Sequence, residues 1–195
     1  MNRNKMPKTS KWNKPQYKDM LDFIEKNSFG KCLDIGCGEG ELEYIIENIK
    51  GIDIIKSDNW NNKCRMYDGL HPPKEKFDTI IFNNSWEHIK YKGYLVERLK
   101  EFNKDSNFVL IVPTTKFLLG RYPKVVEMIF RRALGLKRDA IRHWLVHEPE
   151  IWGDNFLGEF KYFNNWDFNV EKYFLVDERK VLYDGKAIGY RVRLK

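Results

Sequence analysis

The sequence predicts a doubly wound α/β fold, in which helices cover both faces of a mostly parallel sheet. Short apolar segments alternate with amphipathic ones through most of the chain, which is typical of parallel strands joined by helices. The first apolar segment runs into KCLDIGCGEG, residues 31–40, a turn with three glycines at alternate positions. Near the end, Asp184-Gly185 separates two further strand patterns. Because that turn type needs positive φ, it predicts a hairpin that adds one antiparallel strand.

The individual elements follow from their residue patterns. Residues 15–26 predict an amphipathic helix, with Met20, Leu21, Phe23 and Ile24 on its apolar side. Pro113 ends the fifth strand, since proline has no N–H to donate to a ladder. The other predicted helices before that point are 41–49 and 94–102. The predicted strands are 31–35, 51–55, 63–68, 77–84, 107–113, about 170–183 and 187–194.

Length and composition favour one domain, residues 1–195, made of a basic arm and helix (1–29), the core, and an insertion (116–150). There is no apolar run of the ~18–20 residues that a membrane span requires. The basic N-terminus lacks an apolar region, so we expect no secretory signal. The chain has three cysteines, an odd number, and two of them flank the glycine turn. This usage favours a reducing, cytoplasmic location.

The net charge of +7 is concentrated in two segments. Residues 1–18 contain six Lys/Arg and no acid, and residues 116–142 contain eight Lys/Arg and two acids. Together they carry +12, which leaves −5 for the rest of the chain. Residues 123–134 predict a basic amphipathic helix with three open interpretations. It is interpreted as a lid over the substrate pocket, as a helix that binds a membrane surface, or as a patch that contacts RNA.

The glycine turn does not suit a phosphate ligand. A dinucleotide turn has the spacing G-x-G-x-x-G, whereas this one is one residue shorter, with glycines at 36, 38 and 40. Asp34 and Glu39 would also lie close to any phosphate, and like charges ~4 Å apart cost on the order of a kcal/mol or more. A ligand with a positive centre removes this conflict. S-adenosylmethionine has a sulfonium, an ammonium and one carboxylate, and it carries no phosphate.

The segment LDIGCGEG resembles the first motif of class I S-adenosylmethionine-dependent methyltransferases, of the methyltransferase type 11-like kind. The resemblance covers roughly residues 30–115. It implies a Rossmann-like, seven-stranded, mostly parallel sheet with a C-terminal antiparallel hairpin and a helical insertion after strand 5. It also implies S-adenosyl-L-methionine as the cofactor. Residues 56–62 depart from the family pattern because they are too polar and too short for the usual helix, so we expect a loop there.

The resemblance also implies which residues bind the cofactor. GIDI is similar to the family's second strand, whose terminal acid, here Asp53, accepts hydrogen bonds from the ribose hydroxyls. YDGLHP places Asp68 at the adenine amino group and Gly69 beside it. Cys37, inside the turn, is interpreted either as a reactive thiol or as a small residue that allows close approach of the ligand. The implied cofactor residues are Asp34, Gly36, Cys37, Gly38, Asp53, Ile54, Asp68, Gly69 and Asn83.

The segment FDTIIFNNSWEHI resembles the fourth strand and its exit, which in many small-molecule methyltransferases ends in a Glu-His pair. This makes His88 the candidate catalytic residue. Methyl transfer is an in-line displacement that depends mainly on positioning. A base is required only if the acceptor arrives protonated, and histidine suits that role near neutral pH. The alternative is that Glu87 and His88 only shape the pocket wall.

Two patterns in the second half of the chain have a structural and a functional interpretation. His143 and His147 would share one face of a helix, but neither the H-E-x-x-H motif nor a cysteine pair completes a zinc site. They are therefore interpreted as capping or surface residues, or as a pair that faces substrate, and no metal site is predicted. An aromatic series is interpreted as packing or as a platform for stacking bases. It comprises Trp152, Phe156, Phe160, Tyr162, Phe163, Trp166 and Phe168.

The sequence therefore predicts methyl transfer to oxygen or nitrogen of a small-molecule, sugar-linked or lipid-linked acceptor. An RNA methyltransferase that uses the basic segments is the first alternative, and those segments offer a possible peripheral membrane or RNA contact. The D/N-P-P-Y/F tetrapeptide of enzymes that methylate nucleic-acid amino groups is absent, since the fourth strand ends in NNSWEH. A partner subunit that binds the cofactor without activity is the second alternative.

Overall fold

The computed structural model describes residues 10–89, 91–114 and 166–195, and its centre is a seven-stranded sheet of order β3-β2-β1-β4-β5-β7-β6. Strands β1 to β5 are parallel where they pair, and β7 runs antiparallel to both β5 and β6. The predicted fold class is confirmed, including the one antiparallel strand. The strands are β1 Cys32–Ile35, β2 Ile49–Asp53, β3 Cys64–Met66, β4 Thr79–Asn83, β5 Asn107–Pro113, β6 Phe174–Leu182 and β7 Ala187–Leu194.

Four α-helices belong to the described part of the chain: α1 Lys18–Asn27, α2 Leu42–Ile45, α3 Lys92–Asn103 and α4 Trp166–Tyr173. Short 3-10 helices occupy Lys11–Asn13, Pro15–Tyr17, Trp86–His88 and Tyr183–Gly185. Residues 54–63 form a loop, so the prediction of a loop at 56–62 is confirmed. None of the helices within the described residues is long and apolar enough to cross a membrane.

Helices cover both faces of the sheet, as a doubly wound fold requires. On one face, α1 and α2 pack on side chains such as Cys32 and Ile81. On the other face, α3 and α4 pack on side chains such as Leu33 and Phe82. Successive residues of a strand point to opposite faces, so the central strands are buried on both sides. This double burial explains why β1, β4 and β5 are almost continuously apolar in sequence.

Most element boundaries lie within three residues of the predicted ones, and two elements differ by more. Helix α2 has a single turn, whereas a helix over 41–49 was predicted, because β2 already begins at Ile49 in register with Cys32. The predicted strand at 170–183 begins only at Phe174, which pairs with Leu194 at the far end of β7, and residues 166–173 are helical. The predicted insertion at 116–150, with its basic helix and histidine pair, lies outside the described residues.

Candidate active site

The glycine turn is anchored to the neighbouring strand by its backbone. The amides of Gly36 and Cys37 both donate to the carbonyl of Ile52, at 2.8 and 3.1 Å, and Gly40 N–H donates to the Cys37 carbonyl at 2.9 Å. Gly36 has a φ of +80°, and a Cβ at this position would overlap the side chain of Ser85. Glycine is therefore required at Gly36 both by conformation and by close packing.

Asp53 ends β2 and faces this turn. Its carboxylate accepts a hydrogen bond from Gly38 N–H at 2.8 Å and from Ile55 N–H at 3.1 Å. Each carboxylate oxygen has a second lone pair, so Asp53 keeps acceptor capacity for ribose hydroxyls. Gly38 has a φ of +54°, and no heavy atom of the described residues lies within 4 Å of where its Cβ would be. The surface above Gly38 is therefore open to a ligand.

The loop after β2 braces the turn from the side. Ser57 Oγ and Asn59 Nδ2 donate to Glu39 Oε2, at 2.7 and 2.6 Å. Trp60 Nε1 donates to the carbonyl of Gly38 at 2.7 Å. Sequence analysis predicted the loop but did not predict that it would hydrogen-bond to the glycine turn. The Ser, Asn and Trp side chains in the loop are the sequence feature that could have indicated these bonds. The loop thus takes the place of a helix in positioning the turn.

Asp68 follows β3 and already accepts several hydrogen bonds. The amides of Leu70 and His71 donate to its Oδ1, and its Oδ2 lies 2.5 Å from His71 Nδ1. These bonds hold the pKa of the Asp68 carboxyl well below its usual range. The other nitrogen of His71 lies 3.1 Å from Tyr94 Oη. Asp68 therefore organises its own turn, and its predicted role at the adenine amino group stays a prediction.

An apolar surface lies between the ends of β2 and β3. Ile54 has 55% of its surface exposed, an unusual fraction for isoleucine. A Cβ at Gly69 would lie 3.3 Å from Ile54 Cγ2, so the two residues are immediate neighbours. Gly69 has a φ of +80°, in the left-handed region that glycine adopts readily. This pair provides an exposed apolar surface beside Asp53.

The exit of β4 is locked to the glycine turn by Ser85. Its hydroxyl donates to the carbonyl of Ile35, the last residue of β1, at 2.5 Å. Asn83 ends β4, and Asn84 continues with a φ of +52°. Trp86 is 1% exposed and packs edge-on against Phe82, with the ring centroids 5.2 Å apart. Sequence analysis did not assign a role to Ser85 or Trp86, although both lie inside the quoted SWEH segment.

His88 lies at the end of this exit with Glu87 beside it. Its Nε2 is 3.8 Å from Glu87 Oε1, and the side chains are 36% and 5% exposed respectively. The amide of His88 donates to the Ser85 carbonyl at 3.0 Å. Lys92 Nζ donates to the carbonyl of Ile89 at 2.8 Å, which holds the end of this segment. A half-exposed imidazole is thus presented at the carboxyl edge of the sheet, with a buried carboxylate nearby.

Asp34 and Cys37 lie below the turn surface. Asp34 is 1% exposed, and Cys37 is 9% exposed. Burial, with the nearby charge of Asp34 as a second cause, raises the pKa of the Cys37 thiol far above its ordinary value. A thiol that stays protonated near neutral pH is a poor nucleophile. These observations favour the interpretation of Cys37 as a small residue in the turn over that of a reactive thiol.

The arrangement as a whole fits S-adenosylmethionine. Open space lies above Gly38, and Asp53 can accept further hydrogen bonds. The apolar surface at Ile54 is available to the adenine ring. A separate cavity of about 440 Å³ is lined by residues that include Lys26, Asp105 and Arg193. It lies at the opposite, amino edge of the parallel strands, so it is not part of this site. The individual cofactor contacts remain predictions.

Comparisons with known proteins agree with this geometry. A family model described as a methyltransferase domain matches residues 10–168. No curated protein matches the chain. The PH0226 protein from Pyrococcus horikoshii OT3 is similar in structure, with a TM-score of 0.58 at 16% identity over 97% of this chain and 96% of that one. A SAM dependent methyltransferase from Aquifex aeolicus has a TM-score of 0.57 at 12% identity, over 95% and 96%. The plantazolicin methyltransferase BpumL, solved with SAH, has 0.50 at 13%, over 92% and 82%.

Proposed function

The chain belongs to the methyltransferase-domain family and is an S-adenosylmethionine-dependent methyltransferase, and we propose that it methylates oxygen or nitrogen of a small-molecule, sugar-linked or lipid-linked acceptor. The observation that carries this proposal is the placement of His88. Ser85 ties the segment that ends in His88 to the last residue of β1, directly before the glycine turn. The segment that carries the candidate base and the candidate cofactor turn are therefore joined by a direct hydrogen bond.

The chemistry follows from this placement. S-adenosylmethionine, when bound, supplies an electrophilic methyl group on its sulfonium. His88 would accept the proton that the acceptor oxygen or nitrogen loses as it bonds to the methyl group, while the methyl–sulfur bond breaks and S-adenosylhomocysteine is released. Glu87 Oε1, 3.8 Å from Nε2, stabilises the resulting imidazolium electrostatically. Because Glu87 is almost fully buried, solvent screens this attraction less than it would at an exposed site.

Other roles for the chain remain alternatives. The exit NNSWEH replaces the tetrapeptide that amino-directed nucleic-acid methyltransferases carry, which disfavours methylation of base amino groups. RNA methylation at another position would use the basic segments at 1–18 and 116–142. An inactive partner subunit would bind the cofactor and transfer nothing. Each alternative predicts a different destination for a labelled methyl group.

The experiment follows that label. The chain is incubated with methyl-tritiated S-adenosylmethionine and a cell extract separated into small-molecule, lipid, RNA and protein fractions. We expect label in the small-molecule or lipid fraction. His88→Gln should lower transfer by about 10²–10⁴-fold, the contribution typical of general acid–base catalysis. Its affinity for S-adenosylhomocysteine should stay within a factor of about three, a difference below 1 kcal/mol.

His71→Gln is the control at the other described histidine of this sheet edge. Because His71 Nδ1 contacts Asp68, a predicted cofactor residue, transfer by this variant is measured at saturating S-adenosylmethionine, where most of it should be retained. Label that appears in a nuclease-sensitive fraction would establish the RNA alternative instead. Cofactor binding with no transfer to any fraction would favour the inactive subunit. If His88→Gln transferred label as fast as the unmodified chain, His88 would only shape the pocket wall.

A further inference from the structure

Three side chains with metal-binding atoms converge beneath the glycine turn. Cys37 comes from the turn, Glu43 from α2, and Cys64 from the first position of β3. The two sulfur atoms and a carboxylate oxygen all lie within 4.8 Å of one another. The residues are 9%, 1% and 5% exposed, in that order. From this geometry we propose that Cys37, Glu43 and Cys64 bind a divalent cation of the zinc type.

The carboxylate of Glu43 is the second, independent observation. Both of its oxygens are buried, and neither accepts a hydrogen bond from another residue in the described part of the chain. Lys63, next to Cys64 in sequence, attracts this carboxylate electrostatically but makes no direct ion pair with it, because its Nζ donates to the carbonyls of Ile46 and Glu47, at 2.7 and 2.8 Å. A buried carboxylate that is charged is paired or bound to a metal ion, and a buried carboxyl without such a partner keeps its proton. A cation between the three side chains would provide the missing partner.

Two glycines leave room for this cluster. A Cβ at Gly51 would overlap Glu43 Oε1 and would lie 2.9 Å from Cys37 Cβ. A Cβ at Gly40 would lie 2.8 Å from the Cys64 sulfur. Gly51 is paired with Cys64 across β2 and β3, so the backbone itself brings the ligands together. The absence of side chains at Gly40 and Gly51 is thus explained by the space that the three ligand side chains occupy.

The donor set selects the class of cation. Two thiolates and one carboxylate suit zinc, whose bonds to sulfur and oxygen are about 2.3 and 2.0–2.2 Å. Ligand atoms around a tetrahedral zinc are therefore about 3.5–3.8 Å apart, so small side-chain movements close the site. Thiolates discriminate against magnesium and calcium. Three protein ligands leave the fourth position to water, and binding releases the thiol protons.

We assign this site no role in the chemistry, and no step of methyl transfer runs through it. A bound cation would tie the glycine turn to α2 and β3, and so limit the motion of the backbone that faces the cofactor. Sequence analysis predicted no metal site and did not consider Cys37 with Cys64, which are 27 positions apart, a spacing that matches no zinc motif.

Cobalt(II) is the probe for this site. The full chain is kept reduced with a phosphine, freed of metal with a chelator and titrated with Co²⁺. We expect thiolate-to-cobalt charge-transfer absorption and intense tetrahedral d–d bands that saturate at one equivalent and disappear when Zn²⁺ is added. Cys64→Ser and Glu43→Gln should weaken cobalt binding by more than about 100-fold, since even outer-shell changes cost 10–100-fold. Because the chain has only three cysteines, the thiolate signal has few possible sources.

Cys32→Ser is the matched control. Cys32 is equally buried, but its sulfur lies near the carbonyls of Phe29 and Gly30 rather than in the cluster. This variant should bind cobalt like the unmodified chain. The proposal is overturned if the unmodified chain shows no charge-transfer band, or if Cys32→Ser loses the band and Cys64→Ser keeps it. The titration of the unmodified chain decides the matter even if a variant fails to fold, and its failure would leave the proposed methyl transfer unaffected.

Discussion

Replacing Asp53 by alanine separates its role in the fold from its role in cofactor binding. In the structure the carboxylate accepts two backbone hydrogen bonds, from Gly38 and Ile55. Both bonds are exposed, so water can replace the lost acceptor, and we expect the free energy of unfolding to fall by about 0.5–1.5 kcal/mol. Losing the ribose acceptor should cost about 1.5–3 kcal/mol of cofactor binding, the range for hydrogen bonds to a charged group. That corresponds to an increase in Kd of roughly 10–150-fold.

Two measurements test this prediction. Titration calorimetry with S-adenosylhomocysteine gives the change in Kd, and thermal unfolding of the ligand-free chain gives the change in stability. Asp58→Ala is the matched control, because Asp58 is an exposed acid in the loop that follows β2. It should change neither quantity. Calorimetry should also detect no binding of NAD, since the turn lacks the dinucleotide spacing.

One pattern of results would refute the reasoning. If Asp53→Ala kept its affinity for S-adenosylhomocysteine but lost most of its stability, Asp53 would be an acceptor for the turn alone. Binding of NAD, with no response to S-adenosylhomocysteine, would contradict the interpretation of the whole edge. Asp53→Asn refines the test, because the amide keeps one oxygen acceptor and should fall between the alanine variant and the unmodified chain.

Three further predictions follow from the site. Gly36→Ala should lower the melting temperature more than Gly38→Ala, because only an alanine side chain at position 36 would overlap Ser85. Gly38→Ala should chiefly weaken the binding of S-adenosylhomocysteine. Both substitutions cost about 1–2 kcal/mol because they place alanine in the left-handed backbone region. The folded chain should resist iodoacetamide at pH 8, as followed by mass spectrometry, since burial raises the thiol pKa of Cys32 and Cys64 to about 11 and that of Cys37 further; rapid labelling of Cys37 would revive its interpretation as a reactive thiol. In metal-free buffer the unmodified chain should lose stability as the pH rises from about 4.5 to about 7, because the folded state holds the Glu43 proton longer than the unfolded state does; denaturant unfolding of Glu43→Gln should not show this loss.

Local patterns were sufficient to predict much of this molecule. Strands β1, β4 and β5 are apolar runs because both faces of the sheet are covered, and their burial is visible in composition alone. The glycine turn was predicted because its backbone conformation requires residues without side chains. The loop at 56–62 was predicted because its polar side chains offer no apolar face for a helix. These features depend on neighbours in sequence.

Other features depended on how strands align. The predicted helix cannot extend to residue 49, because Ile49 pairs with Cys32 and begins β2. The Ser85 bond to Ile35 joins the ends of two strands that are 50 positions apart. Neither pattern nor propensity specifies such contacts, because both are set by the register between distant segments.

The cysteine and glutamate cluster shows the difference most clearly. The sequence by itself indicated that Cys37 lies in a glycine-rich turn, and it offered no link from that turn to Glu43 or Cys64. The tertiary structure made that link when β3 paired with β2 and brought Cys64 opposite Gly51. Because Gly51 has no side chain, it leaves space in which the two thiols and the Glu43 carboxyl group meet. Register, a property of the whole sheet, therefore decided where these ligand atoms converge.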